Sequence, residues 1–232
     1  MEIGQQDSSK RILVVGAHPD DTEFACGGTI LRWTRQGCDV HYLVCTNGDK
    51  GTKDLQMTSE RLAGIRQEEQ REAARRLGVE DVRFLGEEDG EFPPTLANRE
   101  RITRVIRELR PDVLMVHDPW RRYQLHPDHR NVGICALDGM VAARDHLYFY
   151  HLYKDGLMPH TVPEILLYGT DDANVWVDTS TTIEGKLHAL RAHDTQVARM
   201  TDLKERIHEW ARRVGQAHGL ELAEEFHRIE QR

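Results

Sequence analysis

Short apolar segments alternate with longer helical patterns along the first half of the chain. Residues 11–16 (RILVVG) are apolar, rich in β-branched side chains and closed by glycine, which is typical of a buried strand in a parallel sheet. Three further short segments, 40–45, 82–85 and 112–117, have the composition of strands. The sequence therefore predicts a sheet whose central strands come from this half of the chain.

Helical patterns separate the predicted strands. Residues 25–36 end at Gly37, and residues 59–77, rich in Glu, Arg, Gln and Ala, end at Gly78; glycine commonly follows a helix. Residues 99–109 place apolar side chains at i, i+3, i+4 and i+7, which predicts an amphipathic helix. Repeated alternation of strand and helix implies a mostly parallel sheet covered by helices on both faces, which is a three-layer α/β fold.

The pattern is less regular in the second half. Residues 145–163 are rich in aromatic side chains, and the segments 164–169 and 174–177 predict two late strands. Helical patterns over 182–193 and around 203–214 are expected to close the chain.

Composition and charge narrow the class of protein. The 232 residues include 31 Lys+Arg and 39 Asp+Glu, and this net charge of −8 argues against partners such as nucleic acid or anionic membranes. No stretch reaches the roughly 18–20 apolar residues of a membrane span. No repeat, low-complexity tract or linker divides the sequence, so we expect a single domain over residues 1–232.

Two features bear on the cellular compartment. The polar N-terminus (MEIGQQDSSKR) leads directly into the first strand, which predicts that no signal peptide is cleaved from it. The cysteines form no C-x-x-C pair, and three of the four lie among apolar or small neighbours, so we expect structural cysteines that behave as small buried residues. Together these features predict a cytoplasmic protein. The four cysteines are Cys26, Cys38, Cys45 and Cys135.

An imidazole and two carboxylates follow the first strand directly. The loop A-H-P-D-D places His18, Asp20 and Asp21 beyond the carboxyl end of this strand, where ligands bind in open α/β sheets. A dinucleotide-binding protein would carry G-x-G-x-x-G at this point, because glycines let the backbone approach a pyrophosphate. The loop therefore argues against a nicotinamide or flavin enzyme.

A second polar cluster follows the strand at 112–117. His126, Asp128 and His129 form the sequence H-P-D-H, and the two clusters meet if both strands end at the same edge of the sheet. Each His-Pro-Asp sequence, taken by itself, is more typical of a turn whose aspartate caps the next helix. Together, however, they offer three histidines and three aspartates, which are ligand types suited to zinc.

With these two motifs the sequence resembles the PIG-L/LmbE family of zinc-dependent N-deacetylases. The resemblance extends over residues 11–200, and it implies a Rossmann-like α/β sandwich, in agreement with the strand and helix pattern. It is also carried by Gly27, Gly28, Asn47, Gly48, Arg66, Glu68, Glu69, Lys186, Ala189, His193 and Gln196.

The resemblance implies a role for each residue of the first motif. His18, Asp21 and His129 would bind zinc, and three protein ligands are typical of a catalytic site rather than a structural one. Asp20 would be the general base that acts on a zinc-bound water, the nucleophile of the reaction.

The second motif would stabilise the oxyanion. The resemblance implies that His126, in its protonated form, donates to the developing oxyanion, and that Asp128 holds the orientation of His126. Some relatives carry a tyrosine at the position of Gln124; here Tyr123 lies one residue earlier and is a further candidate.

Four residues are candidates for substrate binding. Arg66 would contact hydroxyl or anionic groups of the substrate, or it would pair with the neighbouring helical glutamates. Asp49 would bind a sugar or belong to a turn, and His193 would line the site or be a buried structural histidine. Arg121, together with Arg122, would give the pocket mouth a positive charge suited to a phosphate or carboxylate on the substrate.

The leading hypothesis is a zinc-dependent hydrolase that removes the N-acetyl group from an N-acetylglucosamine-type conjugate. One alternative is an amidase of a thiol-glycoside conjugate; a second is a non-haem iron enzyme that uses the same His/Asp/His ligands. A third is a metal-binding module without catalysis, although Asp20 would then be superfluous. The aromatic segment 145–163 is interpreted as a pocket lid or as a contact within a homo-oligomer.

Overall fold

A computed structural model of the protein describes residues 10–231. Within this range the strands are β1 (Arg11–Gly16), β2 (Asp39–Thr46), β3 (Asp81–Glu87), β4 (Val113–His117), β5 (Glu164–Tyr168), β6 (Val175–Asp178) and β7 (Ala223–Glu230). The helices are α1 (Asp21–Arg35), α2 (Ser59–Arg76), α3 (Leu96–Leu109), α4 (Pro127–Arg144), α5 (Tyr150–Lys154), α6 (Ile183–Leu190), α7 (Asp194–Val197) and α8 (Leu203–Ala217). Most of the N-terminal segment used to predict the absence of a signal peptide lies outside the described residues.

The strands form one sheet in the order β3-β2-β1-β4-β5-β7-β6. β1 lies near the centre and pairs in parallel with β2 and β4, with Ile12 opposite both Val40 and Val113. β3 and β5 extend the parallel part on either side, whereas β7 runs antiparallel between β5 and β6. The predicted α/β class with a mostly parallel sheet is confirmed.

Alternate side chains of β1 enter two different hydrophobic cores. Ile12 and Val14 pack on the face covered by α1, α2 and α6, and Leu13 and Val15 pack on the face covered by α3 and α4. Because successive side chains of a strand point to opposite faces, a strand that is apolar at every position belongs between two helical layers. The three-layer arrangement expected from the sequence is therefore present.

The structure differs from the predicted elements most clearly in three places: helix α4 was not predicted, α1 begins earlier than expected, and a strand follows the last helix. Helix α1 begins at Asp21, four residues before the predicted start, so that the aspartates of the first motif lie at its N-terminus. The expectation that helices close the chain is wrong, because β7 follows α8.

The aromatic segment 145–163 lies at the amino edge of the sheet. The Arg107 guanidinium of α3 donates to the backbone carbonyls of Asp145 and Tyr148, and His160 Nε2 lies 2.7 Å from the carbonyl of Pro111, just before β4. The candidate ligands follow the opposite ends of the strands. This placement argues against the interpretation of the segment as a pocket lid.

Two further expectations can be compared with the described residues. The four cysteines are free and buried, as predicted. None of the helices within residues 10–231 combines the length and the apolar character needed to cross a bilayer.

Candidate active site

The polar residues of both sequence motifs meet at the carboxyl edge of the sheet. His18 follows β1, and the residues of the second motif begin α4, which follows β4. A hydrogen bond from the Thr46 amide to the Ala17 carbonyl, 2.8 Å long, fixes the chain between β1 and the first motif. The parallel strands thus bring together side chains that are more than a hundred residues apart.

The three predicted metal ligands are in mutual contact. His18 Nδ1 lies 3.4 Å from Asp21 Oδ2 and 3.2 Å from His129 Nε2, and His129 Nε2 lies 3.3 Å from Asp21 Oδ1. Two ligand atoms at about 2.0–2.1 Å from a tetrahedral zinc ion are about 3.3 Å apart. The spacing of these atoms therefore fits a small tetrahedral cation.

The charge around His18 also fits a divalent metal. Its ring nitrogens contact three carboxylates, those of Asp21, Asp89 and Asp128, at 3.4, 3.0 and 3.1 Å. Burial lowers the pKa of His18, but the hydrogen bonds to these carboxylates outweigh it and raise the pKa to about 12. So much buried negative charge favours a cation, and a metal ion would compete with the proton for the same imidazole.

His117, at the end of β4, belongs to the same cluster although the sequence analysis gave it no role. Its Nε2 lies 3.1 Å from Asp21 Oδ2, and its side chain is 8% exposed. The group Asp21, His117 and His129 has donor atoms close enough together to hold a metal ion. The signal in the sequence was its position, because a histidine that ends a buried strand lies at the ligand-binding edge.

Asp128 contacts His18 rather than orienting His126. Its Oδ2 lies 3.1 Å from His18 Nε2, and the carboxylate accepts hydrogen bonds from the amides of Gly90 and Phe92 at 2.6 and 3.1 Å. The expectation was that this carboxylate would hold His126. Instead, the Asp128 carboxylate joins the first motif to the loop after β3.

Asp89, in the loop after β3, is a second residue that the sequence analysis missed. Its Oδ1 lies 3.0 Å from His18 Nε2 and 3.7 Å from His126 Nε2. The buried Asp49, a candidate for substrate binding, accepts a hydrogen bond from the Asp89 amide at 2.9 Å. The contact of Asp49 is thus with the protein's own loop.

His126 precedes α4 and caps its first turn. Its Nδ1 accepts a hydrogen bond from the Asp128 amide at 3.3 Å, which leaves Nε2 as the donor atom of a neutral ring. Burial, and after it the charge of His18, holds the pKa of His126 below its ordinary value. A neutral His126 differs from the protonated form that was expected, although the ring still has an N–H to donate.

Asp20 adopts a backbone conformation that is rare for an aspartate. Its φ is 99°, in the left-handed region that favours glycine, and its side chain is 15% exposed. Arg66 Nη2 lies 3.1 Å from Asp20 Oδ2. Burial raises the pKa of Asp20 to about 6, although the Arg66 charge acts in the opposite direction.

Arg66 and His193 are both buried behind the cluster. Arg66 pairs with Asp20 rather than with the helical glutamates, and it also donates to the Gly48 carbonyl at 2.7 Å. His193 is fully buried, and its Nε2 lies 3.2 Å from Glu23 Oε2. Arg66 therefore supports the loops after β1 and β2, whereas His193 contacts the first turn of α1.

Arg121 and Tyr123 lie in the loop between β4 and α4. Arg121 pairs with Asp171 at 3.4 Å, and both residues line a cavity of about 380 Å³ beside α8. Tyr123 is 84% exposed. The expected role of Tyr123 at the oxyanion therefore has no contact within the described residues to support it.

The arrangement combines the parts that metal-assisted hydrolysis requires. A His/Asp/His cluster fits a divalent cation, a carboxylate with a raised pKa lies next to it in the chain, and the His126 side chain offers a donor.

Comparisons with known proteins place the fold and the site in context. Residues 13–140 match the PIG-L family model, described as GlcNAc-PI de-N-acetylase. The diacetylchitobiose deacetylase of Thermococcus kodakarensis is 37% identical, over 81% of this chain and 70% of that protein. The 1D-myo-inositol 2-acetamido-2-deoxy-alpha-D-glucopyranoside deacetylase of Saccharomonospora viridis is 32% identical, over 80% of this chain and 85% of its own length.

A solved structure agrees with this comparison. The N,N'-diacetylchitobiose deacetylase of Pyrococcus horikoshii, in complex with its inhibitor MPG, has a TM-score of 0.92 to this chain at 32% identity. The match covers 96% of this chain and 84% of that one, so nearly all of the described elements have a counterpart.

Proposed function

Since the chain belongs to the PIG-L family, we propose that it is a zinc-dependent hydrolase that removes the N-acetyl group from an N-acetylglucosamine-type conjugate. The observation that carries the proposal is the contact of His18, Asp21 and His129 beside the half-buried Asp20. We further propose that residues 1–232 act as a single domain, and that the enzyme works in the cytoplasm.

The metal would be held by His18, Asp21 and His129. Zinc bound there supplies a Lewis acid, which polarises the amide carbonyl and acidifies a water molecule. His117 and Asp128 hold two of these ligands, since they contact Asp21 and His18 respectively. Histidine ligands are commonly oriented by a carboxylate on the other ring nitrogen, as His18 is by Asp128.

Asp20 is the proposed general base. Its carboxylate removes a proton from the attacking water and then delivers that proton to the departing amine nitrogen, so the same group acts as base and as acid. A pKa of about 6 suits both steps near neutral pH, because the base form prevails before attack and the acid form is still accessible afterwards.

His126 is the proposed donor to the substrate. Its Nδ1 accepts from the Asp128 amide, so Nε2–H can donate to the carbonyl oxygen of the acetamide as negative charge develops there. This role needs only the neutral ring.

The four candidates for substrate binding divide into one exposed residue and three buried residues. Arg121 is half-exposed and can meet an anionic or hydroxylated part of the conjugate. Arg66, Asp49 and His193 act from behind the site, because each is buried and contacts the protein itself.

The experiment is an assay of the purified protein for free amine and acetate released from N-acetylated sugars. The panel includes diacetylchitobiose, a GlcNAc-inositol conjugate and a thiol-glycoside conjugate, each with and without chelator, and the bound metal is identified by elemental analysis. We expect release that stops with chelator and returns with zinc. Asp20→Asn should keep the metal and lose activity by about 10²–10⁴-fold.

Two outcomes contradict the proposal. One is a protein that binds zinc but releases no amine from any substrate, which would favour a metal-binding module. The other is a turnover that depends on iron and oxygen, which would favour the oxygenase alternative.

A further inference from the structure

One peptide group at the start of the site is held by two side chains of α2. The Pro19 carbonyl accepts a hydrogen bond from Arg66 Nη2 at 2.5 Å, and the Asp20 amide donates to Gln70 Oε1 at 2.9 Å. Arg66 and Gln70 are four residues apart and thus lie on the same face of the helix. Helix α2 therefore fixes both polar ends of the peptide that leads into Asp20.

The Gln70 amide has a defined orientation, because a second contact fixes it. Gln70 Nε2 donates to Glu23 Oε1 at 2.9 Å, and both side chains are fully buried. The other oxygen of Glu23 lies 3.2 Å from His193 Nε2 and accepts from the Thr22 hydroxyl at 3.0 Å. With its Nε2 committed to Glu23, Gln70 presents its oxygen to the Asp20 amide.

This contact matters because of the Asp20 backbone. A φ of 99° is unfavourable for any residue with a Cβ, so the surrounding contacts must hold it. The Asp20 N–H is also one of the donors at the N-terminus of α1 that have no acceptor within the helix, and Gln70 accepts its hydrogen bond. Without Gln70, rotation about the N–Cα bond would relieve the strain and move the carboxylate.

We propose that Gln70 is a positioning residue for the general base, which keeps the Asp20 carboxylate beside the metal ligands. The expected effect on turnover rests on the proposed function, whereas the expected effect on the Asp20 backbone rests on the hydrogen bonds of Gln70 and the φ of Asp20. Gln70 itself does not touch the reacting atoms in this assignment.

The test compares Gln70→Leu with Gln67→Leu. Gln67 lies one turn earlier on the same helix, and its Nε2 contacts Asn47 Oδ1 at 3.1 Å, so its replacement removes a similar hydrogen bond elsewhere. With the substrate found in the panel, we expect kcat of Q70L to fall about 10- to 100-fold, because a small misplacement of a catalytic group is costly. The KM and zinc content of Q70L, and the kcat of Q67L, should stay within about twofold of the wild-type values.

A second readout does not depend on turnover. The exchange of the Asp20 amide hydrogen with solvent is measured by NMR on the zinc-loaded protein, and we expect it to be about tenfold or more faster in Q70L than in the wild type and Q67L. If Q70L does not fold, Q70M supplies the same loss of acceptor with a flexible side chain of similar length.

The outcomes separate this proposal from the proposed function. If the wild type is inactive, and its Asp20 amide is protected from exchange but becomes exposed in Q70L, the proposed function is overturned and the role of Gln70 is supported. An active wild type whose kcat and Asp20 exchange are unchanged in Q70L would overturn the positioning role and leave the function intact.

Discussion

The imidazole rings of His117 and His129 are stacked, with centroids 4.1 Å apart and planes inclined by 19°. His117 also lies 3.1 Å from the Asp21 carboxylate, so one buried side chain contacts two of the three proposed metal ligands. We expect His117→Phe to keep the stacked ring, lose the hydrogen bond and weaken zinc binding about 10- to 100-fold. Competition with a chromophoric chelator measures the affinity.

The matched control for this prediction is His41→Phe. His41 is also a strand histidine that contacts a carboxylate, Asp81 at 2.9 Å, but it lies near the amino end of β2. Zinc affinity should be unchanged in this variant. Equal affinities of the two variants would mean that His117 does not orient the metal ligands.

Two glycines with positive φ differ in what surrounds them. A Cβ at Gly48, φ +60°, would lie 2.3 Å from Arg66 Nη1, whereas a Cβ at Gly86, φ +76°, would meet nothing within 4 Å. Both alanine variants should lose about 1–2 kcal/mol of stability from backbone strain. Only Gly48→Ala should also lower kcat, by about tenfold or more, because it displaces the guanidinium that contacts Asp20.

Urea denaturation and steady-state kinetics of the two glycine variants check this prediction. A Gly48→Ala enzyme with normal kcat would show that Asp20 does not need Arg66 in its present place. A Gly86→Ala enzyme with reduced kcat would show that the effect is not local to Arg66.

The Asp128 carboxylate is fully buried and accepts from two backbone amides besides its contact with His18. Replacement by Asn removes the charge and presents an NH₂ group to at least one donor. We expect Asp128→Asn to lower the free energy of unfolding by about 1–3 kcal/mol, measured by urea denaturation. Asp138→Asn, which removes a partly exposed partner of Arg99, should cost about 1 kcal/mol or less; similar losses in both would contradict the prediction.

His193 should make stability depend on pH. Burial lowers its pKa, but the hydrogen bond to Glu23 outweighs this effect and raises the pKa above its ordinary value. A group with a raised pKa in the folded state stabilises the protein at low pH, and this contribution is lost as the pH rises through the raised pKa. The Tm difference between wild type and His193→Gln should therefore be larger at about pH 6 than at about pH 9.

Thermal denaturation at constant zinc loading measures this difference. The exposed His188, on the neighbouring α6, supplies the control His188→Gln, whose Tm difference from the wild type should not follow the same trend. A Tm difference between wild type and His193→Gln that grows as the pH rises would contradict the assignment of a charged pair between His193 and Glu23.

Local patterns predicted the centre of the parallel sheet because β1 and β4 are apolar at nearly every position. The bounds of β1 agree with the prediction, since an apolar run closed by glycine leaves little ambiguity. β7 was missed because its sequence, AEEFHRIE, mixes charged and apolar residues. What makes it a strand is its pairing with β5 and β6, and those partners are distant in the sequence.

The site was predictable to the extent that its residues lie in two short motifs. His18, Asp21 and His129 meet because parallel strands end at one edge, which follows from topology alone. His117 and Asp89 were missed because each lies outside those motifs. The position of His117 at the end of a buried strand was its one signal, whereas Asp89 lies in a loop that no local pattern distinguishes. The role of Gln70 depends on the φ of Asp20, which the sequence does not state.

The position of β7 has a consequence for the order of assembly. β5 and β6 do not pair with each other, so each keeps an open edge until residues 223–230 have been synthesised and inserted between them. Glu224 of this strand also accepts from the amides of Gly28 and Thr29 in α1, the helix that begins with a proposed metal ligand. A nascent chain can therefore form its central parallel strands early, yet the contacts of Glu224 with α1 form only when β7 arrives.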